Sequence, residues 1–424
     1  MNTWARSDIH PFSKDWIICV SLVFCFIFSF YIVGPINSSI FEAVCILPYF
    51  YKQERQKRLL KWFEVKYIFN LFLFQIFLQA VALFFSLIHF THDLSYVGIL
   101  FPQMIHIGCG TIIIAFLQAR YKLNLTDIIV LILSSYIIQS IIEIAASTLP
   151  PLATFVRYFN RADYGGNVEG VRGLALSSAT GWSLGLSFGL IYILYIHFVL
   201  LRRISIPAIF GLLLLVIGTF FAGRTGFLGL IIGGIYYIVK SPVTATLKLG
   251  IKILLGLVLL CALTYILFPK YVEYALLYLL PFAFEPIINY MDGKGATSKS
   301  TDILMTMWQH KIEDIDWFLG RGLFTNADGS YYLRTDVGVL RNIFYWGLPG
   351  YMCIIFYQIY LFKPIFRIKY LRGMCLSMLL YLSLCELKAV TLGLNKMTLS
   401  IVFLLGVYSF IEYQKKVANI KLYE

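Results

Sequence analysis

The chain is dominated by apolar runs of membrane-crossing length. They fall at 16–33, 36–51, 67–90, 95–118, 126–148, 174–200, 204–222, 226–239, 249–268, 342–362, 373–391 and 396–413. A bilayer span needs about 20 largely apolar residues in a helix, and the same backbone cannot stay unpaired in lipid. Only 13% of the 424 residues are charged, where a soluble protein of this size carries about 25%. The mean hydropathy is +0.79. A soluble enzyme, a disordered chain and a disulfide-rich secreted protein are all excluded. The runs are too long and continuous for a β-barrel, which alternates in segments of about ten residues. The expectation is an all-α polytopic membrane protein with about 12 transmembrane helices.

Charge orients it. Lys52, Arg55, Lys57, Arg58, Lys61 and Lys66 share one loop, and further basic groups follow at every second loop: Arg120/Lys122, Arg202/Arg203, Lys240/Lys248/Lys252, Lys363/Arg367/Lys369/Arg372 and Lys415/Lys416/Lys421. With Arg6 and Lys14, 22 of the 35 basic residues fall on one side. The positive-inside rule makes that side cytoplasmic and puts both termini there. It also explains the net charge of +13 without nucleic acid. Trp16–Val33 lacks a cleavage site and reads as a retained first span. The eight cysteines all lie in apolar runs, so no disulfide framework is expected.

This arrangement divides the chain into spans 1–9 over 1–268, with a short outer loop at 149–173, a long outer loop at 269–341, and spans 10–12 with a tail over 342–424. The segment 270–288 is apolar, but counting it as a span would invert the next basic cluster, so it reads as interfacial or re-entrant. A helix is expected from Thr301, capped by Ser300. Gly34-Pro35 and Gly223-Arg224 read as tight turns, and the Gly185/Gly189 and Gly229/Gly233 spacings suit close helix packing.

Chemistry concentrates on the outer face. Arg172 opens the sixth span, Arg224 interrupts an apolar run, and Arg341 opens the tenth. An arginine at such a depth is costly unless it snorkels to the interface or meets an anion or a wet cavity. Its planar fork suits two phosphoryl oxygens at once. Arg161 and Arg334 are further candidates for the same role. Among carboxylates, Asp336 and then Glu169 are placed to take a proton from a sugar hydroxyl, against the simpler role of surface ion-pair partner. Within spans, Gln139 and Glu143 share a helix face, and Glu386, Lys388 and Lys396 are expected to neutralise one another. His89, His92 and Asp93 share one turn, and Asp314-Ile315-Asp316 has the form of a metal-diphosphate motif. Neither is completed by a second cluster of ligands.

Three outer-face motifs resemble one family. They are Ala222-Gly223-Arg224-Thr225-Gly226-Phe227-Leu228; Gly170-Val171-Arg172-Gly173-Leu174; and Gly320-Arg321-Gly322-Leu323-Phe324 followed by Thr335-Asp336-Val337-Gly338-Val339-Leu340-Arg341 and Gly347-Leu348-Pro349-Gly350. In order and placement the chain is similar to the Wzy-type O-antigen and capsule polymerases, relatives of the O-antigen ligases. The resemblance implies a GT-C-like membrane glycosyltransferase in the bacterial inner membrane, acting at the periplasmic face on undecaprenyl-pyrophosphate-linked glycans as donor and acceptor. It implies no metal or other cofactor, and leaves room for a chain-length regulator as partner. Arg172, Arg224 and Arg341, with Arg161 and Arg334, would hold the pyrophosphate, and Asp336 or Glu169 would act as base. The ligase branch carries a His-Asn pair where this chain has Asp336-Val337-Gly338, which favours the polymerase. A flippase of lipid-linked oligosaccharide is the rival of another class; it would favour two pseudo-repeated halves around a mid-membrane charged cavity.

Overall fold

The computed structural model describes residues 13–160, 174–267, 281, 285–295 and 297–421. Arg161, Glu169, Arg172 and the tyrosines 271, 274 and 278 lie outside the described residues.

The described chain is mostly helical, with one two-stranded sheet near its start. α1 (Lys14–Phe28) is capped by the Ser13 side chain and ends at Ser29, which takes a left-handed conformation at φ 44°. Strands β1 (Tyr31–Val33) and β2 (Ile36–Asn37) pair antiparallel across the Gly34-Pro35 turn, so the expected first span ends sooner than its apolar run. The remaining helices up to the long loop are α2 (Ser38–Ile46), α3 (Gln53–Phe63), α4 (Lys66–Ile88), α5 (Ser95–Tyr121), α6 (Leu125–Thr148), α7 (Pro150–Asn160), α8 (Trp182–Tyr195), α9 (Ile206–Ala222), α10 (Thr225–Lys240) and α11 (Val243–Leu267). α8 continues into a π-helical turn, Ile196–Leu200. The loop carries the short helices α12 (Glu285–Met291), α13 (Lys299–Met307) and α14 (Asp314–Phe318). α15 (Gly338–Arg367), α16 (Arg372–Glu386) and α17 (Lys396–Lys421) complete the chain.

Among the described residues five helices are long and apolar enough to cross a membrane: α4, α5, α6, α8 with its extension, and α17. The protein is thus an all-α, membrane-embedded chain. α2 with its 3-10 extension, α9 and α10 are apolar but shorter. The sixth apolar run becomes regular helix only at Trp182, because 174–181 is irregular backbone.

Glycine sets the tightest packing. α8 and α10 meet backbone to backbone: a Cβ on Gly229 would lie 2.3 Å from the Gly189 Cα, and one on Gly185 would lie 2.8 Å from the Gly223 carbonyl oxygen. Small residues permit such approach where no hydrophobic force separates lipid from protein. α8 is accordingly almost wholly buried, with α6, α9, α10, α16 and α17 around it.

The basic segments Arg202, Lys240, 367–373 and 412–416 assemble at one end of the bundle. There Tyr370 faces Glu412, the Lys416 ammonium lies 5.6 Å from the Tyr370 ring, and Gly373 packs on Tyr236 and Lys240. α3, with Lys57, Arg58 and Lys61 exposed and Leu59 buried, has the form of a helix lying along a surface.

Candidate functional site

The site is organised by a break in α15. Gly347 sits at φ 64°, ψ −177°, and Pro349 two residues later has no N–H to give the Tyr345 carbonyl. The freed acceptors are taken by the long loop: the Arg321 N–H donates to the Phe344 oxygen at 2.5 Å and the Gly322 N–H to the Tyr345 oxygen at 3.2 Å. Gly320 and Gly322 both stand at φ 61°, and a Cβ on Gly320 would fall 2.6 Å from the Gly347 nitrogen. The Gly-Arg-Gly motif is therefore a docking motif.

Its arginine is fully used. Arg321 grips Asp316 side-on, Nε to Oδ1 at 2.5 Å and Nη2 to Oδ2 at 2.9 Å, with Glu313 at 3.2 Å. Asp316 pushes the guanidinium still further above its usual range. Asp316 also caps α14 through the Glu313 N–H. The Asp-x-Asp segment thus spends its buried carboxylate on an ion pair. The neighbouring histidine turn has a similar fate: Asp93 accepts the N–H groups of Phe324 (2.6 Å) and Thr325 (2.8 Å), and His89 Nε2 meets the Leu319 carbonyl at 3.1 Å. Burial pushes the Asp93 carboxyl up, but its bonds with Ser95, Thr325 and Phe324 hold it below the usual carboxylate range. Among the described residues no group of three or more His, Cys, Asp or Glu is placed to hold a metal.

This docking delivers two aromatic rings to Arg341. Thr325 and Tyr331 pair across the Asp328-Gly329 turn, and the small hairpin they form lies over the first turn of α15. The Arg341 guanidinium is 3.8 Å from the centroid of Phe324 and 3.5 Å from that of Tyr331. The residue is only 6% exposed, and its Nε and Nη2 have no hydrogen-bond partner. Those two N–H groups form the edge that Arg321 uses on Asp316. Burial disfavours the charge; Tyr331, Tyr96 and Asp336 offset part of that electrostatically, as do the two cation–π contacts of about 2 kcal/mol or less each. Two oxygens of a phosphate or carboxylate would satisfy the fork.

Around Arg341 the next residue, Asn342, accepts from the Tyr96 hydroxyl and donates to Glu386 Oε1 at 2.7 Å. Glu386 Oε2 accepts the N–H groups of Thr391 and Leu392 at 2.6 and 2.8 Å. The carboxylate is thus held by Asn342 and backbone rather than by the two lysines of its hairpin. Lys388 lies 5.6 Å over the Trp182 ring instead.

Arg224 lies at the N-terminus of α10 and pairs with Glu285 at 3.2 Å. Glu285 Oε1 also accepts the Lys299 N–H at 2.9 Å, and that bond, then Arg224, holds its carboxyl below the usual range against slight burial. The cap of α13 is Ser298 rather than Ser300, its hydroxyl accepting the Thr301 N–H at 3.3 Å. Trp308, just beyond α13, donates to the Leu387 carbonyl at 3.2 Å, which ties this loop to the α16–α17 turn. Asp336 and Arg334 are exposed, Arg334 at φ 50°. The Asp336 N–H points to Met307 Sδ at 3.3 Å. Arg224 and Arg341 therefore both touch the long loop, one through Glu285 and the other through Phe324 and Tyr331.

No family model, curated protein or solved structure matches the chain.

The sequence reading missed Glu285, Phe324, Tyr331 and the Tyr96–Asn342 pair. Asp328-Gly329 between Thr325 and Tyr331 was a legible turn signal for the hairpin. Nothing local marks Glu285 or Tyr96, whose partners lie 61 and 246 residues away.

Proposed function

We propose that the chain is a Wzy-type polysaccharide polymerase of the bacterial inner membrane, with about twelve spans and its site at the periplasmic face. It would transfer a growing glycan from undecaprenyl pyrophosphate to the non-reducing end of a new lipid-linked repeat unit. The observation that carries this reading is the Arg341 fork, buried between two rings with Nε and Nη2 unpartnered. The barrier to glycosyl transfer lies in charge building on the departing pyrophosphate, and preorganised arginines stabilise such charge in a dry site.

In this reading Arg341 supplies the fork and Arg224 the second cation, with the Glu285 carboxylate standing where a phosphate oxygen binds. Arg334, Arg161 and Arg172 would complete the cationic set. Asp336, five residues before Arg341 and exposed, takes the acceptor hydroxyl proton, with Glu169 as the other candidate base. No metal or other cofactor is needed for these steps, and the aromatic content of 17% suits sugar stacking as well as interfacial anchoring.

The test is glycan laddering in a deletion strain complemented with wild type, Arg341→Ala or Asp336→Asn. A deletion that leaves a single repeat unit on the acceptor lipid, restored to a ladder by wild type and by neither variant, supports the polymerase. Long chains stranded on undecaprenyl pyrophosphate would instead identify a ligase. Repeat units retained on the cytoplasmic leaflet would identify a flippase.

A further inference from the structure

A second polar cluster lies inside the bundle, in contact with neither Arg224 nor Arg341. It is centred on His106 of α5, 2% exposed and stacked on Phe26 at 4.3 Å. Its Nδ1 lies 3.2 Å from the Ser39 hydroxyl and its Nε2 lies 2.6 Å from the Ser400 hydroxyl. Each serine reaches on to an acceptor that has no proton to give: Ser39 to Asn37 Oδ1 at 2.7 Å, and Ser400 to the Lys396 carbonyl at 2.9 Å.

Counting protons along this chain separates the states of the ring. A serine hydroxyl has one proton. If both hydroxyls donate outward, to Asn37 and to Lys396, then both ring nitrogens must donate inward to the serines. All four bonds form only with a doubly protonated imidazolium. A neutral ring, in either tautomer, leaves one of the four unmade.

A second buried titratable group lies on the helix that carries Ser39. Glu42 stands one helical turn beyond Ser39 on α2, 7% exposed, and neither of its carboxyl oxygens has a hydrogen-bond partner. α2 packs along α5, the helix that carries His106. The other titratable groups facing this region are Cys25 of α1, Cys45 of α2, Cys109 of α5 and Lys396 of α17; Glu42 acts electrostatically on all three thiols, and Lys396 acts on both His106 and Cys109. Lys396 repels charge on the ring, while the two serine hydroxyls favour it once both donate outward.

We propose that His106 and Glu42 form an intramembrane site for one exchangeable proton. Asn37 caps α2 at the end of the hairpin, and its side-chain oxygen accepts from Ser39 and from the Ile40 N–H. A histidine is suited to the task because small changes around it carry its charge through the physiological range. This site stands whether or not the chain makes polysaccharide.

The test is 15N NMR of the full chain, ring-labelled at histidine and held in lipid nanodiscs, with His106→Gln assigning the signal among the six histidines. The expected result is a single protonation step of His106 between about pH 5 and 8. If the two groups share the proton, Glu42→Gln lowers the midpoint by about one pH unit, a tenfold loss of proton affinity. Lys396→Met removes the repelling charge and raises it. A ring that keeps one neutral tautomer across that range in the wild type overturns the proposal, with no variant required. So does a midpoint that moves with neither substitution.

Discussion

The Asp93 carboxylate, on the turn between α4 and α5, accepts the backbone N–H of Phe324, 231 residues later in the chain. Thr325 adds its own N–H at 2.8 Å, and Ser95 closes the turn at 2.9 Å. One side chain thereby fixes the loop that carries Phe324 and Tyr331 over Arg341.

Asp93→Asn removes the charge that these N–H groups meet, at a cost of about 1–3 kcal/mol. The folded-state pKa of Asp93 is lowered, so its stabilisation is complete above the unfolded value near 4 and is lost as pH falls through the folded value. The wild type should therefore lose more apparent Tm than Asp93→Asn between about pH 6 and 3. Equal losses would show that other carboxylates govern the acid limb.

Gly229→Ala places a Cβ 2.3 Å from the Gly189 Cα, where two helix backbones touch and neither can yield. The expected cost is about 1–3 kcal/mol, read as a drop in Tm. Gly234→Ala, on the same helix with nothing within 4 Å, is the control. It should be neutral or stabilising by up to about 1 kcal/mol, because alanine is the better helix former.

Arg341→Lys keeps a cation between the two rings but lacks the fork. Under the polymerase reading it loses most of the ladder, as Arg341→Ala does, while both proteins still insert at normal levels. A full ladder from the lysine variant would mean that charge alone suffices and that bidentate binding plays no part.

Arg224 and Glu285 form a half-exposed pair, each side chain 26% exposed, of a kind that contributes about 1 kcal/mol or less. Glu285→Gln should accordingly shift Tm little. Arg224→Ala should be equally mild for stability yet abolish the ladder. If Arg224→Ala polymerises normally, the arginine serves only to hold α12 in place.

Much of the architecture was legible because it rests on local rules. The apolar runs, the glycine spacings of α8 and α10, the Gly34-Pro35 turn and the Gln139–Glu143 pair at 3.3 Å all follow from neighbours within a few residues. Arg341 was legible as an expensive residue for its position. Other readings went astray where the deciding partner was remote. Glu386 found Asn342, 44 residues away, and backbone N–H groups rather than lysine.

By itself, then, the sequence determined that this chain is an all-α membrane protein, since no other backbone arrangement can bury such runs in lipid with its polar groups paired. It also determined which arginines are costly. Among the described residues, that Arg321 is consumed by structure while two N–H groups of Arg341 stay without a hydrogen bond was decided only in three dimensions. That outcome depends on the break at Gly347 and Pro349 exposing two carbonyls, on the loop that fills them, and on the rings this docking brings to Arg341. Each of these contacts is directional and depends on the path of the loop rather than on a residue's immediate neighbours.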